Sequence, residues 1–196
     1  RKTVPESINY TLSGDLFYNF SDATEAIFRA RYNKEHTENQ FAGNDKIIKD
    51  EEANLIDKNI SLTLKHRYSK SASVKSIFYY TSYNAETIFY NQGTNEIYNK
   101  SFYNQNLGKI ELQSDFVYAA SHMLTFGGGI NLESVDSDII IDSSANSTAL
   151  FAFTQDDWII SDKLNLITSL RFDNHSDYSS SLNPKIALSY EILPKL

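Results

Sequence analysis

With 196 residues and no cysteine, the chain has no disulfide framework, thiol chemistry or cysteine-based metal site open to it. A net charge of −7 weighs against nucleic acid as a partner, since phosphate binding needs a basic footprint. No apolar run reaches the about 18 residues of a membrane-crossing helix. That leaves open a barrel, whose alternating strands keep mean hydropathy low, here −0.41.

Residue usage favours strands: Tyr (13) and Phe (12) are plentiful, Gly (7) and Pro (3) scarce. The first segment sets Ile8, Tyr10, Leu12, Gly14, Leu16, Tyr18 and Phe20 against Asn9, Thr11, Ser13, Asp15 and Asn19, with Phe17 the exception. The alternation holds over roughly thirteen residues, or roughly 40 Å, which is long for a globular strand. Next, Ala26, Phe28, Ala30 and Tyr32 oppose Arg29, Arg31 and Asn33. A charged loop is expected near Glu35–Leu55. Ile60, Leu62 and Leu64 then oppose Asn59, Ser61, Thr63, Lys65 and Arg67. Segment four, Val74–Tyr83, carries rings on both faces at Phe78-Tyr79-Tyr80, which leaves its facing open. A second loop is expected at about Asn84–Gln105.

Ile110, Leu112, Phe116 and Tyr118 oppose Lys109, Glu111, Gln113 and Asp115 in segment five. Leu124, Phe126, Gly128, Ile130 and Leu132 oppose Thr125, Asn131 and Glu133 in segment six. Its mid-strand Gly127–Gly129 marks a bend or a close backbone approach. A third loop is expected at Ser134–Ser147, followed by segment seven at Thr148–Ile160. Leu164, Leu166, Leu170 and Phe172 oppose Asn165, Ser169, Arg171 and Asp173 in segment eight. Pro184, Ile186, Leu188 and Tyr190 oppose Lys185 and Ser189 in segment nine.

This gives about nine antiparallel strands in an up-and-down meander. Short turns at Ser21–Thr24, Ser69–Ser73, Ala119–His122, Ser161–Lys163 and Glu191–Lys195 follow Tyr18 and Phe20, Tyr68, Tyr118, Trp158 and Tyr190. Short turns at one end, longer loops at the other and a belt of rings describe part of a transmembrane β-barrel with lipid as its partner. Charges at mid-strand (Asp15, Arg29, Arg31, Lys65, Glu111, Asp115, Arg171, Asp173) suit a watery lumen. A soluble sandwich would alternate in the same way, but with Leu62, Leu64, Leu112 and Phe126 buried in a closed core. The strand pattern starts by about Ile8 and the chain stops at Leu196 where a new strand is expected to open, so we expect an excerpt of a longer protein.

Phe151-Ala-Phe-Thr-Gln-Asp-Asp-Trp158, Ser161-Asp-Lys-Leu-Asn-Leu166, Leu170-Arg-Phe-Asp-Asn-His-Ser-Asp177 and Leu182-Asn-Pro-Lys-Ile-Ala-Leu-Ser-Tyr190 follow in that order. The set resembles the barrel of TonB-dependent outer-membrane receptors, closely over about 40 residues and in style elsewhere. The resemblance implies a barrel of about 22 strands closed by an N-terminal plug. It further implies an energy-coupling TonB-type partner, the outer membrane of a Gram-negative bacterium, and uptake of a scarce solute such as a ferric siderophore, another metal chelate or a vitamin. Nothing in the chain resembles the plug. A passive porin-like channel and a soluble extracellular β-sheet binding domain are the alternatives.

Candidate ligand contacts are the loop aromatics Phe89, Tyr90, Tyr98, Phe102 and Tyr103, with His36 and His175 in acid-flanked loops. Self-packing of a folded loop, or plain solvation, is the alternative for each. Arg29, Arg31, Lys65, Arg67, Arg171 and Asp173 are candidate lumen-lining or plug-facing residues. Gln155-Asp156-Asp157 beside Trp158 has no nucleophile or histidine in a recognisable arrangement, and no phosphate loop, zinc spacing or triad signature occurs. Neither enzyme activity, cofactor nor metal centre is expected.

Overall fold

The computed structural model describes residues 6–42, 48–91, 94 and 96–192. They form nine strands: β1 (Glu6–Ser21), β2 (Thr24–Ala42), β3 (Ile48–Arg67), β4 (Ala72–Asn91), β5 (Ile97–Ala119), β6 (His122–Ser137), β7 (Ser144–Ser161), β8 (Leu164–His175) and β9 (Ser181–Tyr190). All belong to one sheet in chain order, each antiparallel to the next.

Successive side chains point to opposite faces, so the register assigns every residue a side. One face is apolar. Its central row runs Tyr18, Ala26, Leu64, Ser76, Leu112, Gly128, Ala152, Phe172, Leu182 across all nine strands. Tyr18 stands at the turn end of the apolar stretch on β1, whereas Leu182 stands at the opposite end of the apolar stretch on β9. The row therefore enters the apolar band at one rim and leaves at the other. Eight strand spacings of about 4.8 Å carry it roughly 38 Å sideways, while the band is about eight residues, or roughly 26 Å, long on a strand. The ratio gives a strand tilt of about 35°, the inclination of a closed barrel.

Among the described residues nothing covers the apolar face. Leu64, Leu112 and Phe126 stay exposed, which removes the closed core that a sandwich needs. Among the described residues Phe151, on the other face, is the buried large hydrophobic side chain, at 6% exposure. It pairs with Gly129, as Phe153 pairs with Gly127. A Cβ on either glycine would stand 2.7 Å from the ring that covers it. The two rings stack at 6.4 Å, filling the space that the missing side chains leave. The close approach expected at Gly127–Gly129 is thus a glycine–phenylalanine packing across β6 and β7.

Segment four is resolved by register. Phe78 and Tyr80 join the apolar face beside Leu62 and Ile60, and Tyr79 points to the polar face. The two-residue turns after β1, β5 and β7 are each preceded by a register shift, which adds a residue (Phe20, Tyr118, Ile160) and tightens the twist before the chain reverses. Ala23 N–H donates to Ser21 Oγ within the first of them. The fifth expected turn, Glu191–Lys195, falls partly on residues outside those described.

The loop expectations need correction. Most of Glu35–Leu55 belongs to β2 and β3, most of Asn84–Gln105 to β4 and β5, and the ends of Ser134–Ser147 to β6 and β7. These strands continue past the apolar band. Beyond it neither face meets lipid, so the alternation that marks a strand disappears from the sequence. The backbone ladder continues regardless, from Tyr32↔Lys58 up to Ala42↔Ile48 in the β2–β3 pair.

Candidate functional site

The extensions of β2–β6 raise a wall whose polar face carries a chain of side-chain contacts. Arg31 Nη2 donates to Asp57 Oδ2 at 2.9 Å. Asn59 Nδ2 donates to Asp57 Oδ1 at 2.8 Å, and Tyr79 O–H to Asn59 Oδ1 at 2.7 Å. Tyr103 O–H donates to Gln105 Oε1 at 3.4 Å, and Gln105 Nε2 to Glu133. Tyr83 meets Tyr103 edge to face at 6.1 Å between centroids. Among the described residues no hydrogen bond is made by the Tyr83 hydroxyl. Between these groups lies an open depression of about 490 Å³, bordered by Arg31, Asp57, Asn59, Tyr83 and Gln105. Amide, hydroxyl and ring faces converging on a concavity are the makings of a small-molecule contact surface.

The seven ligand candidates lie on strands rather than loops, and they do not form one cluster. Phe89, Tyr103 and His175 take the polar face. Tyr98 is the extra residue where β5 shifts register against Phe89/Tyr90, and its ring packs on Phe89 at 5.8 Å with Lys49 Nζ 4.3 Å above it. His36, Tyr90 and Phe102 take the opposite face, beyond its apolar band. There Tyr90 donates to Glu52 Oε2 at 3.3 Å, and Phe102 N–H to Asp138 Oδ1 at 3.2 Å. His36, four residues past the last apolar ring Tyr32, is held above the ordinary histidine pKa by its hydrogen bond to Asn54 and then by Glu38. His175 packs its ring on Tyr178 at 4.7 Å.

All six candidates for the lumen stand on the polar face. Arg29 pairs with Asp15 (3.4 Å), Lys65 with Glu25 (2.7 Å) and Arg171 with Asp173 (2.7 Å). Arg67 donates to the Asp22 carbonyl at 2.7 Å. Such exposed pairs contribute at most about 1 kcal/mol each. Arg171 also lies 4.4 Å over the Phe151 ring and so covers the β6–β7 packing. At the turn end, Lys65, Arg67 and Lys75 with Glu25 and Asp115 border a second depression of about 830 Å³. Sequence reasoning missed Asp57, Tyr79, Tyr83 and Gln105. For Asp57, Tyr83 and Gln105 the signal was positional, since they continue the polar parity of β3–β5 past the point where the apolar parity stops.

On the apolar face, Tyr118, His122 and Trp158 form a stack at the turn end, with both spacings 5.1 Å and His122 Nδ1 2.9 Å from Asp156 Oδ2. Rings with polar tips at this height suit a membrane interface. No group of three or more His, Cys, Asp or Glu that could hold a metal ion occurs among the described residues.

The family model "TonB dependent receptor-like, beta-barrel" matches residues 3–196. No curated protein matches the chain. Among solved structures, the siderophore receptor PirA from Acinetobacter baumannii superposes with a TM-score of 0.79 at 14% identity, over 97% of this chain and 32% of that one. PirA from Pseudomonas aeruginosa gives 0.73 at 18% identity, over 96% and 31%. A variant of the ferric enterobactin receptor PfeA from Pseudomonas aeruginosa gives 0.75 at 13% identity, over 97% and 32%. The chain thus spans about a third of the length of the solved structures it resembles.

Proposed function

Because the chain belongs to the TonB dependent receptor-like β-barrel family, we propose that it forms about a third of the wall of an outer-membrane receptor that actively imports a ferric siderophore or a similar metal chelate. The carrying observation is the oblique apolar band. A sheet whose uncovered apolar face crosses nine strands at about 35° needs lipid on that face, and it presents its charges to a lumen on the other. The family and the similar structures are receptors rather than enzymes, and two of them are named for siderophores.

In this reading the strand extensions rise outside the cell and the short turns lie on the periplasmic side. The depression beside Tyr83 and Gln105 meets incoming solute. The charged depression near Lys65 and Lys75 meets the plug, through which a TonB-type protein delivers energy. The setting is the outer membrane of a Gram-negative cell. Fractionation of cells producing the full-length gene product tests this. An outer-membrane band that needs detergent and shifts mobility on boiling supports the reading, and a soluble protein with no heat shift overturns it.

A further inference from the structure

Resting on the chelate-uptake reading, we infer that the solute presents no net negative charge to this wall, and that it is an uncharged ferric chelate of the hydroxamate kind rather than a trianionic catecholate. The inference comes from the charges on the polar face from the Arg31–Asn59 row upward. Among the described residues that region carries the cations Arg31 and Lys49 and the carboxylates Glu35, Glu51, Asp57 and Glu133, two against four. Arg31 is already engaged by Asp57 at 2.9 Å, and Lys49 lies over the Tyr98 ring at 4.3 Å. Arg31 and Asp57, the two charges that border the depression, cancel, while Glu35, Glu51 and Glu133 against Lys49 leave the polar face around it with a surplus of two negative charges, a potential of one sign that an approaching solute meets. A trianion approaching it meets like charge, and like-charge juxtaposition across an interface is strongly selected against.

An uncharged chelate meets a matched surface instead. Its carbonyl oxygens find the second N–H of the Asn59 and Gln105 amides, whose first is given to Asp57 and Glu133. The Tyr83 hydroxyl is free of protein partners among the described residues, and the Tyr83 and Tyr103 rings offer apolar faces to an organic shell. Here specificity follows from what the wall repels as much as from what it binds.

The test is calorimetric titration of the full-length receptor in detergent micelles with two probes, a neutral ferric tris-hydroxamate and a trianionic ferric tris-catecholate, at low and at moderate salt. The hydroxamate should bind at least about tenfold tighter, with an affinity that salt leaves unchanged. The double variant Glu35→Gln/Glu51→Gln should narrow the gap by strengthening catecholate binding. A catecholate that binds equally or more tightly overturns the charge inference while leaving chelate uptake standing. Binding of neither chelate overturns the uptake reading, and the inference falls with it.

Discussion

The β4–β5 hairpin contains two stretches built on one ladder that obey different rules. From Val74 to Tyr80, and from Gly108 to Phe116, one face is apolar and uncovered while the other carries Lys75, Tyr79, Lys109, Glu111 and Asp115. Past Tyr80 and Gly108 both faces are polar or mixed: Ser82, Asn84, Glu86, Asn104 and Asn106 replace the aliphatic side chains. The pairing does not change there, as Ser82↔Asn106 and Asn84↔Asn104 continue the register of Tyr80↔Gly108. The backbone ladder therefore decides where the strand is. The medium on each side decides what the sequence looks like.

The sharpest way to break this comparison is to put one charged side chain on the same face in both stretches. Leu112→Arg, at the middle of the apolar stretch of β5, should destabilise the barrel in lipid by about 2–4 kcal/mol. Asn104→Arg, on the same face of the same strand above the band, should change stability by at most about 0.5 kcal/mol. Urea unfolding in liposomes, followed by heat-dependent gel mobility, measures both. Equal effects would mean that the band is not the lipid boundary.

That boundary also explains how much could be read in the sequence. Strand count, order and facing were legible where lipid imposes a period of two, as in Ile8–Phe20 and Leu124–Leu132. The extensions Glu35–Gln40 and Asn84–Tyr90 read as loops because water or lumen on both sides removes the periodic signal. The aromatics of the second expected loop drew attention as a group. Yet alternation sends Phe89 and Tyr103 to one face and Tyr90 and Phe102 to the other, a division that only the register reveals. The upper depression was illegible for a related reason, since it joins Arg31, Asn59, Tyr83 and Gln105 from four strands whose relative stagger no local pattern encodes.

A second contrast concerns glycine. Gly129→Ala drives a methyl group into the Phe151 ring and the Ile110 carbonyl and should cost about 1–3 kcal/mol. Gly108→Ala, on the lipid face, meets nothing nearer than the Leu132 carbonyl at 4.0 Å and should stay within about 0.5 kcal/mol. Adding Phe151→Ala to Gly129→Ala should recover part of the loss. If it does not, the ring is not what excludes the methyl group.

Tyr80 and Tyr83 sharpen the comparison at the boundary itself, three residues apart on one strand but on opposite faces. Tyr83→Ala should weaken binding of the chelate probe roughly tenfold, or about 1.4 kcal/mol, with unfolding unchanged. Tyr80→Ala removes a lipid-facing ring and its 2.8 Å hydrogen bond to Asn106, so it should lower stability by about 1 kcal/mol and leave affinity intact. The reverse pattern would exchange the assignment of the two faces.

The smallest effect should come from the ion pairs that decorate the extension. Lys100 Nζ and Glu86 Oε1 lie 2.5 Å apart, with both side chains about half exposed. Water screens such a pair, and two long side chains lose freedom in making it, so Glu86→Gln should cost at most about 0.5 kcal/mol, less still at high salt. Hydrogen exchange of the amides around Thr87 and Ser101 would register the difference. Protection that survives Glu86→Gln shows that main-chain pairing holds the wall upright above the membrane. Protection that collapses would mean that the extension depends on its side-chain pairs, and a strand without alternation would then need a different explanation from a ladder that simply continues.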